Sequence, residues 1–273
     1  MLNGNEGRKL EDTPGRSRCV IFLHVPKAAG QTLNVILARQ YDPRATVVLT
    51  DPSSVARALD RGAGRPALLR GHVPYGIHEE LGIDALYITM LREPVSRVVS
   101  VYRYVWRNPG HPLHELVRSK GMTLKDFVTH DIDREDVVNG QTRLIAGRSE
   151  AEPDSSALVR ATQHLRDMAA VGVVERFDES MMLFRESLDW TVPFYTKRNV
   201  APERSVTEKL SPDVRGLIES MNRLDIDLYR DALRLLDERI STAGALFGAR
   251  VVTFQLFNRL AGIYVALREK GPS

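Results

Sequence analysis

The chain has 273 residues, 43% of them hydrophobic, and its 38 Lys and Arg against 35 Asp and Glu leave a net charge of +3. This length suits one large domain with a substantial core, and the mild charge argues against nucleic acid as a partner. The single cysteine, Cys19, excludes an internal disulfide and indicates a reducing, cytoplasmic compartment. Because no uncharged apolar run of about 18 residues occurs, we expect no membrane-spanning helix.

Composition and periodicity divide the chain into three parts. Residues 1–17 are polar and lack the apolar segment of a secretory signal, so we expect a disordered leader. Residues 18–240 alternate strand and helix patterns, which predicts a single α/β domain with a central, mainly parallel sheet flanked by helices. Residues 241–273 predict a helical tail that packs on the body or on a second copy; the alternative is a helix peripheral to a membrane.

The domain opens with a strand, a tight loop and a helix. Val20–Leu23 is an apolar run typical of a buried strand, and apolar residues recur at helical spacing from Leu33 to Tyr41. Backbone N–H groups and the positive end of a helix dipole converge at such a junction, and Lys27 adds a full charge there. The loop therefore predicts a phosphate-binding site; the alternative is an ordinary turn with a solvated lysine.

A second constellation follows the fourth of five predicted strands. Arg92 falls at the C-terminal edge of the sheet, where ligands of open α/β sheets bind. Ser100 lies on the polar face of the next helix, and an arginine fork with a hydroxyl suits a second phosphate, although each residue alone is commonly just solvated. Beyond that helix, residues 113–147 predict a helical insert. The later strands are predicted at Thr46–Leu49, Ala67–Arg70, Leu86–Leu91 and Ala169–Val174.

Two passages of the sequence, FLHVPKAAGQTL and GHVPYGIHEELGIDALYITMLREPVSRVVSVYRY, resemble the sulfotransferase family that includes the heparan and uronyl 2-O-sulfotransferases and their bacterial relatives. Shorter matches, NGQTRLIAG, VGVVERFDES, YTKRN and LSPDVRGLIESMNRLDIDLY, extend the resemblance from about Cys19 to Ala232. It implies a P-loop-like sulfotransferase fold. It also implies the donor 3′-phosphoadenosine 5′-phosphosulfate (PAPS), with adenosine 3′,5′-bisphosphate as the product.

The same resemblance implies which residues hold the donor. The 5′-phosphosulfate falls to Lys27, Ala28, Ala29, Gly30, Gln31 and Thr32, and the 3′-phosphate to Arg92 and Ser100. A basic loop closing over the nucleotide corresponds to Lys197, Arg198 and Asn199. Many relatives have a threonine where this sequence has Ala28-Ala29, so backbone N–H groups would replace one hydroxyl contact.

Sulfuryl transfer by in-line displacement needs a cation at the leaving oxygen and a base at the attacking hydroxyl. Lys27 is the predicted cation. His72 is the predicted base, because imidazole titrates near neutral pH and because the resemblance matches it to the proposed base of the 2-O-sulfotransferases. The alternative for His72 is a structural hydrogen bonder, and His24 is interpreted as structural. Reserve bases are His78, Glu79 and Glu80, and no Cys/His cluster indicates a metal.

The predicted reaction moves a sulfuryl group from PAPS to a hydroxyl of a carbohydrate or another hydroxylated metabolite. Core packing is the favoured role of Trp106, which lies on the apolar side of its helix. The candidate acceptor contacts are Arg70, Tyr75, Arg103, Arg107 and Arg143.

Two other functions stay open. A P-loop kinase is disfavoured because Lys27 precedes Gly30, and because Arg92 ends the fourth strand where a magnesium-binding aspartate would be expected. A nucleotide-binding protein without catalytic activity is disfavoured because Lys27 and His72 occur together.

Overall fold

The computed structural model describes residues 18–49, 54, 66–130, 134–147, 153–195 and 210–269, with side chains to residue 263. Its centre is a five-stranded sheet of order β2-β3-β1-β4-β5 in which every pairing is parallel. The strands are β1 (Cys19–Leu23), β2 (Thr46–Leu49), β3 (Leu68–Gly71), β4 (Ala85–Leu91) and β5 (Ala170–Val173). The predicted α/β class with a parallel sheet is therefore confirmed.

Helices cover the sheet, and β1 and β5 are therefore buried along their whole length. The first seven helices are α1 (Gly30–Gln40), α2 (Ile77–Glu80), α3 (Pro94–Arg107), α4 (His114–Ser119), α5 (Leu124–Thr129), α6 (Arg134–Val137) and α7 (Gly140–Ala146). The others are α8 (Ser155–Asp167), α9 (Phe177–Leu188), α10 (Pro212–Met221), α11 (Arg223–Thr242) and α12 (Phe247–Glu269), with short 3₁₀ turns at Pro43–Ala45 and Val174–Arg176.

The sheet order fixes where a ligand would bind. From β1 the chain runs through α1 toward β2 on one side, whereas from β4 it runs through α3 toward β5 on the other. Adjacent strands that send the chain in opposite directions leave a crevice at their carboxyl ends. A buried hydrogen bond of 2.8 Å from Thr89 Oγ1 to the Leu23 carbonyl ties these two strands together just below that crevice.

The helical insert has a core of its own. One side of α3, with Val98 and Val105 fully buried, packs against Phe127 of α5 and Ile218 of α10. Local capping fixes the helix ends, since the Glu93 carboxylate accepts hydrogen bonds from the first N–H groups of α3. Trp106 packs against this second core, as predicted, with Arg118 4.6 Å above its ring.

The C-terminal helix packs on the main body. Phe247, Val251 and Phe254 belong to the sheet core, and Asn258 Oδ1 accepts a 2.7 Å hydrogen bond from the Tyr195 N–H. The predicted boundary at residues 240–241 falls inside the last turn of α11, which continues to Thr242. No single described helix is long and apolar enough to cross a membrane, although α11 and the first part of α12 together meet that test as a pair bent by 102°.

Candidate functional site

The loop after β1 has a strained backbone and an open helix start. Lys27 and Ala29 have φ of 65° and 59°, the left-handed region that costs a non-glycine residue roughly 1–2 kcal/mol. Ala29, the N-cap of α1, offers no side-chain acceptor, and the first turn contains no acid. Strain of this kind concentrates at functional sites, and a helix start without an acidic cap suits an external anion.

Cations converge on this loop. Nζ of Lys27 lies 3.9 Å from the centre of the Tyr104 ring, and Nη1 of Arg92 donates to the Lys27 carbonyl at 3.2 Å. Burial lowers the pKa of Lys27, and the positive charges of Arg92 and Arg107 lower it further. Among the residues that the structure describes, the salt bridges include none of these three cations. The arrangement therefore favours an anionic ligand.

Arg92 is held rigidly at the end of β4. The side-chain amide of Gln141 bonds both backbone groups of Arg92, accepting from its N–H and donating to its carbonyl, each at 3.0 Å. Burial lowers the pKa of Arg92, while Glu175 and Glu93 raise it. Its Nε is buried without a hydrogen-bond partner. A fixed arginine with a spare buried donor is the group expected for a phosphate.

A buried polar network supports Gln141. The carboxylate of Asp225 in α11 accepts hydrogen bonds from the backbone of Gln141 and Thr142, at 3.2 and 2.7 Å, and from the Thr142 hydroxyl at 2.8 Å. Arg97, fully buried in α3, lies 3.6 Å from the same carboxylate. The sequence patterns did not identify the residues of this network, although the segments NGQTR and DIDLY lie within the shorter matching stretches. The available signal was polar residues at positions that are expected to be buried.

Ser100 lies on a half-buried side of α3. It shares that side with Arg103 and Arg107, one and two turns further on, and the charges of these arginines act on Arg92 and Lys27. The structure thus brings Lys27, Arg92, Arg103 and Arg107 together at one end of the crevice, and helical spacing places Ser100 on the same side of α3 as the two later arginines.

His72 and His24 are in direct contact, which the sequence did not predict. Nε2 of His72 lies 3.0 Å from Nδ1 of His24, whose ring stacks on Phe22. Burial is the main cause that lowers the pKa of His24 to about 3, with the charges of His72, Lys27 and Arg70 adding to it. The ring of His72 is exposed, yet the surrounding protein still lowers its pKa, an effect that Asp136 opposes.

The His24 ring explains why residue 30 is a glycine. Its φ is not in the left-handed region, so the backbone does not require glycine. A β-carbon built at this position would lie only 1.7 Å from Nε2 of His24. The glycine therefore makes room for the His24 ring against the start of α1.

The remaining predicted residues are more scattered. Tyr75 stacks on His164 at 3.8 Å and packs against Tyr87, so its ring serves the fold. The reserve base His78 bonds the Tyr87 hydroxyl at 3.1 Å. Arg70 lies at the end of β3, near enough to His24 to affect its pKa, and Nε of Arg70 is buried without a hydrogen-bond partner.

Other predictions concern the insert, the basic loop and metals. Arg143 is half-buried in α7. The predicted basic loop, Lys197, Arg198 and Asn199, lies outside the described residues. Within the described part of the chain, no group of three or more His, Cys, Asp or Glu side chains is arranged to hold a metal ion.

Comparison with known proteins finds carbohydrate sulfotransferases. The sequence model of the galactose-3-O-sulfotransferase family matches residues 3–254. Heparan-sulfate 6-O-sulfotransferase 3-B of Danio rerio is 29% identical over 183 residues, covering 56% of this chain and 43% of the relative. Galactose-3-O-sulfotransferase 3 of Mus musculus is 24% identical over 272 residues, covering 86% of this chain and 60% of the relative. The chain thus spans about half the length of the curated relatives it matches.

One solved structure also resembles the chain. Mouse sulfotransferase SULT7A1 complexed with PAP aligns with 14% identity and a TM-score of 0.43, covering 82% of this chain and 89% of that one.

Proposed function

Because the chain belongs to the galactose-3-O-sulfotransferase family, we propose that it transfers a sulfuryl group from PAPS to a hydroxyl of a carbohydrate acceptor. The observation that carries the proposal is the convergence of Lys27, Arg92 and Arg107 on a strained loop at the switch point of the sheet. The relatives with 6-O- and galactose-3-O- names refine the resemblance, which pointed to 2-O-sulfotransferases.

The site fits a nucleotide with phosphates at two ends. Backbone N–H groups of the Lys27–Thr32 loop and the start of α1 would hold the 5′-phosphosulfate. Arg92, with its spare Nε, and Ser100 would hold the 3′-phosphate. The basic loop Lys197–Asn199 remains a predicted third contact. The donor supplies the sulfuryl group, and its leaving phosphate develops negative charge as that group departs.

Lys27 and His72 have separate tasks in this reaction. The Lys27 ammonium stabilises the charge that develops on the leaving oxygen, and its partly buried position strengthens that effect by limiting screening by water. His72 removes the proton of the attacking hydroxyl, and its lowered pKa keeps it unprotonated at neutral pH. Because both histidines of the pair favour the neutral form, a basic nitrogen is available without prior loss of a proton.

The acceptor is proposed to be a sugar. The relatives are named for galactose and for heparan sulfate, and Arg70, Arg103 and Arg143 could contact a hydroxyl-rich or anionic glycan. Tyr75, whose ring packs against His164, stays a candidate for stacking on the sugar. We also propose a cytoplasmic location, since a sequence with a single cysteine cannot form an internal disulfide. We further propose association of the exposed side of α12 with a second copy or a membrane surface.

The decisive experiment supplies purified protein with sulfur-35-labelled PAPS and a panel of acceptors that includes galactosides, heparan fragments and small hydroxylated metabolites. We expect label transfer to at least one glycan, without added magnesium. A parallel reaction with magnesium and γ-labelled ATP tests the kinase alternative. Nucleotide binding without transfer to any acceptor would favour the non-catalytic alternative.

A further inference from the structure

The His24–His72 contact contains a single proton between two ring nitrogens. Nδ1 of His24 and Nε2 of His72 lie 3.0 Å apart. A neutral imidazole carries its proton on only one of its two nitrogens. One ring must therefore donate and the other accept, and this choice decides which nitrogen of His72 holds the lone pair.

Only one of the two arrangements lets His72 act as a base. Its Nε2 faces His24, so the nitrogen left for an incoming hydroxyl is Nδ1. Once Nδ1 takes up a proton, the ring carries N–H at both positions, and its Nε2–H points at His24. If His24 carried its own proton on Nδ1, two N–H groups would oppose each other at hydrogen-bond distance. His24 must present a lone pair at Nδ1.

The surroundings keep His24 uncharged. Its Nε2 packs against the start of α1 beside Gly30, and Lys27 and Arg70 both disfavour a charge on its ring. Asp136, by contrast, favours a charge on His72. The positive charge produced by proton uptake therefore stays on His72, the exposed ring, and His24 remains neutral over the working pH range.

We infer that His24 is a positioning residue for His72: its Nδ1 accepts a hydrogen bond from Nε2–H of His72 and so leaves the lone pair of His72 Nδ1 for the acceptor. This inference rests on the proposed function for the identity of the acceptor. The hydroxyl proton moves to His72 Nδ1 while the hydroxyl oxygen bonds to sulfur. The bond from sulfur to the nucleotide oxygen breaks, and its electron pair leaves with adenosine 3′,5′-bisphosphate.

The tautomers can be read directly from the protein without any substrate. Long-range ¹H–¹⁵N spectra of protein labelled at its seven histidines distinguish protonated from unprotonated ring nitrogens. His24→Asn and His72→Asn assign the two signals. At pH 8 we expect His72 to be protonated at Nε2 and His24 to be unprotonated at Nδ1. A proton on Nδ1 of His24 would overturn the inference, whatever reaction the protein catalyses.

A matched pair of variants tests the role in turnover. In His24→Asn the side-chain oxygen can occupy the place of Nδ1 and still accept from His72, whereas in His24→Gln the amide extends toward the place of Nε2. We expect kcat of His24→Asn to stay within about tenfold of wild type and kcat of His24→Gln to fall about 100-fold or more, within the range of general-base effects.

The pH profile separates positioning from a merely structural role. An acceptor stabilises the protonated form of His72 more than the neutral form, so removing it lowers the pKa of His72. We therefore expect the acidic limb of kcat/KM to move to lower pH in His24→Gln but not in His24→Asn. Equal kinetics and unshifted limbs in the two folded variants would contradict the inference, whereas absence of transfer by wild type on every acceptor would contradict the proposed function instead.

Discussion

The two halves of the crevice are built in different ways. The loop half, formed by β1, the Lys27–Thr32 loop, His24 and His72, depends on a strained local backbone and on one contact between neighbouring strands. The arginine half, formed by the end of β4, Arg92, Gln141 and Asp225, depends on a buried network that joins α7 and α11. Under the proposed function, we expect the loop half to carry the chemistry and the arginine half to provide rigidity and nucleotide selection.

The largest effect is expected from removing the base in the loop half. His72→Asn should reduce kcat by about 10²–10⁴-fold while nucleotide affinity is unchanged. In wild type the rate should fall as acid protonates the imidazole. Because the surrounding protein partly desolvates His72 and so lowers its pKa, that fall should lie below the ordinary value of 6.5. Steady-state kinetics against pH give both results. A folded variant with nearly full activity would move the base to another group.

Breaking the buried polar network of the arginine half should destabilise the protein. Asp225→Asn leaves the buried Arg97 without its counter-charge, and we expect a loss of about 3–5 kcal/mol in the free energy of unfolding. Urea denaturation measures it. Asp227→Asn on the same helix removes the exposed partner of Arg230 and should cost less than about 1 kcal/mol. Equal losses in the two variants would mean that the network contributes no special rigidity.

Lys27 tests whether the loop half acts on the transition state. Lys27→Ala should raise the activation free energy of transfer by about 3–4 kcal/mol and so lower kcat. The KM for PAPS should change much less, since the ammonium acts on charge that develops during transfer. Separate kcat and KM values decide this. A normal kcat with a raised KM would make Lys27 a binding residue.

Arg92 tests nucleotide selection by the arginine half. Wild type should bind adenosine 3′,5′-bisphosphate more tightly than AMP, and Arg92→Met should remove about 1.5–3 kcal/mol of that preference. Calorimetry with both nucleotides measures the difference. Lys27→Met is the matched control, because any change in affinity, expected to be small, should be alike for the two nucleotides, which share the 5′-phosphate. Equal affinities in wild type would contradict the assignment of Arg92 to the 3′-phosphate.

The smallest effect concerns backbone strain in the loop. Ala29→Gly should raise the free energy of unfolding by about 1 kcal/mol, because glycine adopts positive φ without a steric penalty. Ala28→Gly, at the neighbouring residue without positive φ, should lower it by about 0.5–1 kcal/mol through added flexibility. Thermal unfolding of both variants compares the two signs, and a destabilised Ala29→Gly would show that the loop is not strained.

The sequence predicted the parts of the site that depend on short segments. The Lys27 loop and Arg92 each follow a strand directly, so local pattern and the geometry of parallel sheets were enough to place them. The tie between Arg92 and Gln141 joins residues 49 positions apart, and that between Gln141 and Asp225 joins residues 84 apart. Such contacts depend on how separate helices pack, which no local pattern encodes.

The histidine pair illustrates the same limit within the sheet. His24 and His72 are 48 positions apart and meet because β3 lies next to β1. Alternating strands and helices predict a parallel sheet but not the order of its strands. His24 was therefore interpreted as structural when it was considered alone, and only the strand order shows its contact with the predicted base.

The position of the His24 ring over Gly30 links two residues that would otherwise vary independently. A side chain at position 30 would clash with the His24 ring and force it out of the position in which it contacts His72. Across related sequences, a histidine at position 24 should therefore occur with glycine at position 30. Where evolution replaces that histidine with a small residue, position 30 becomes free to accept alanine or serine, and another way of orienting the base must then have arisen.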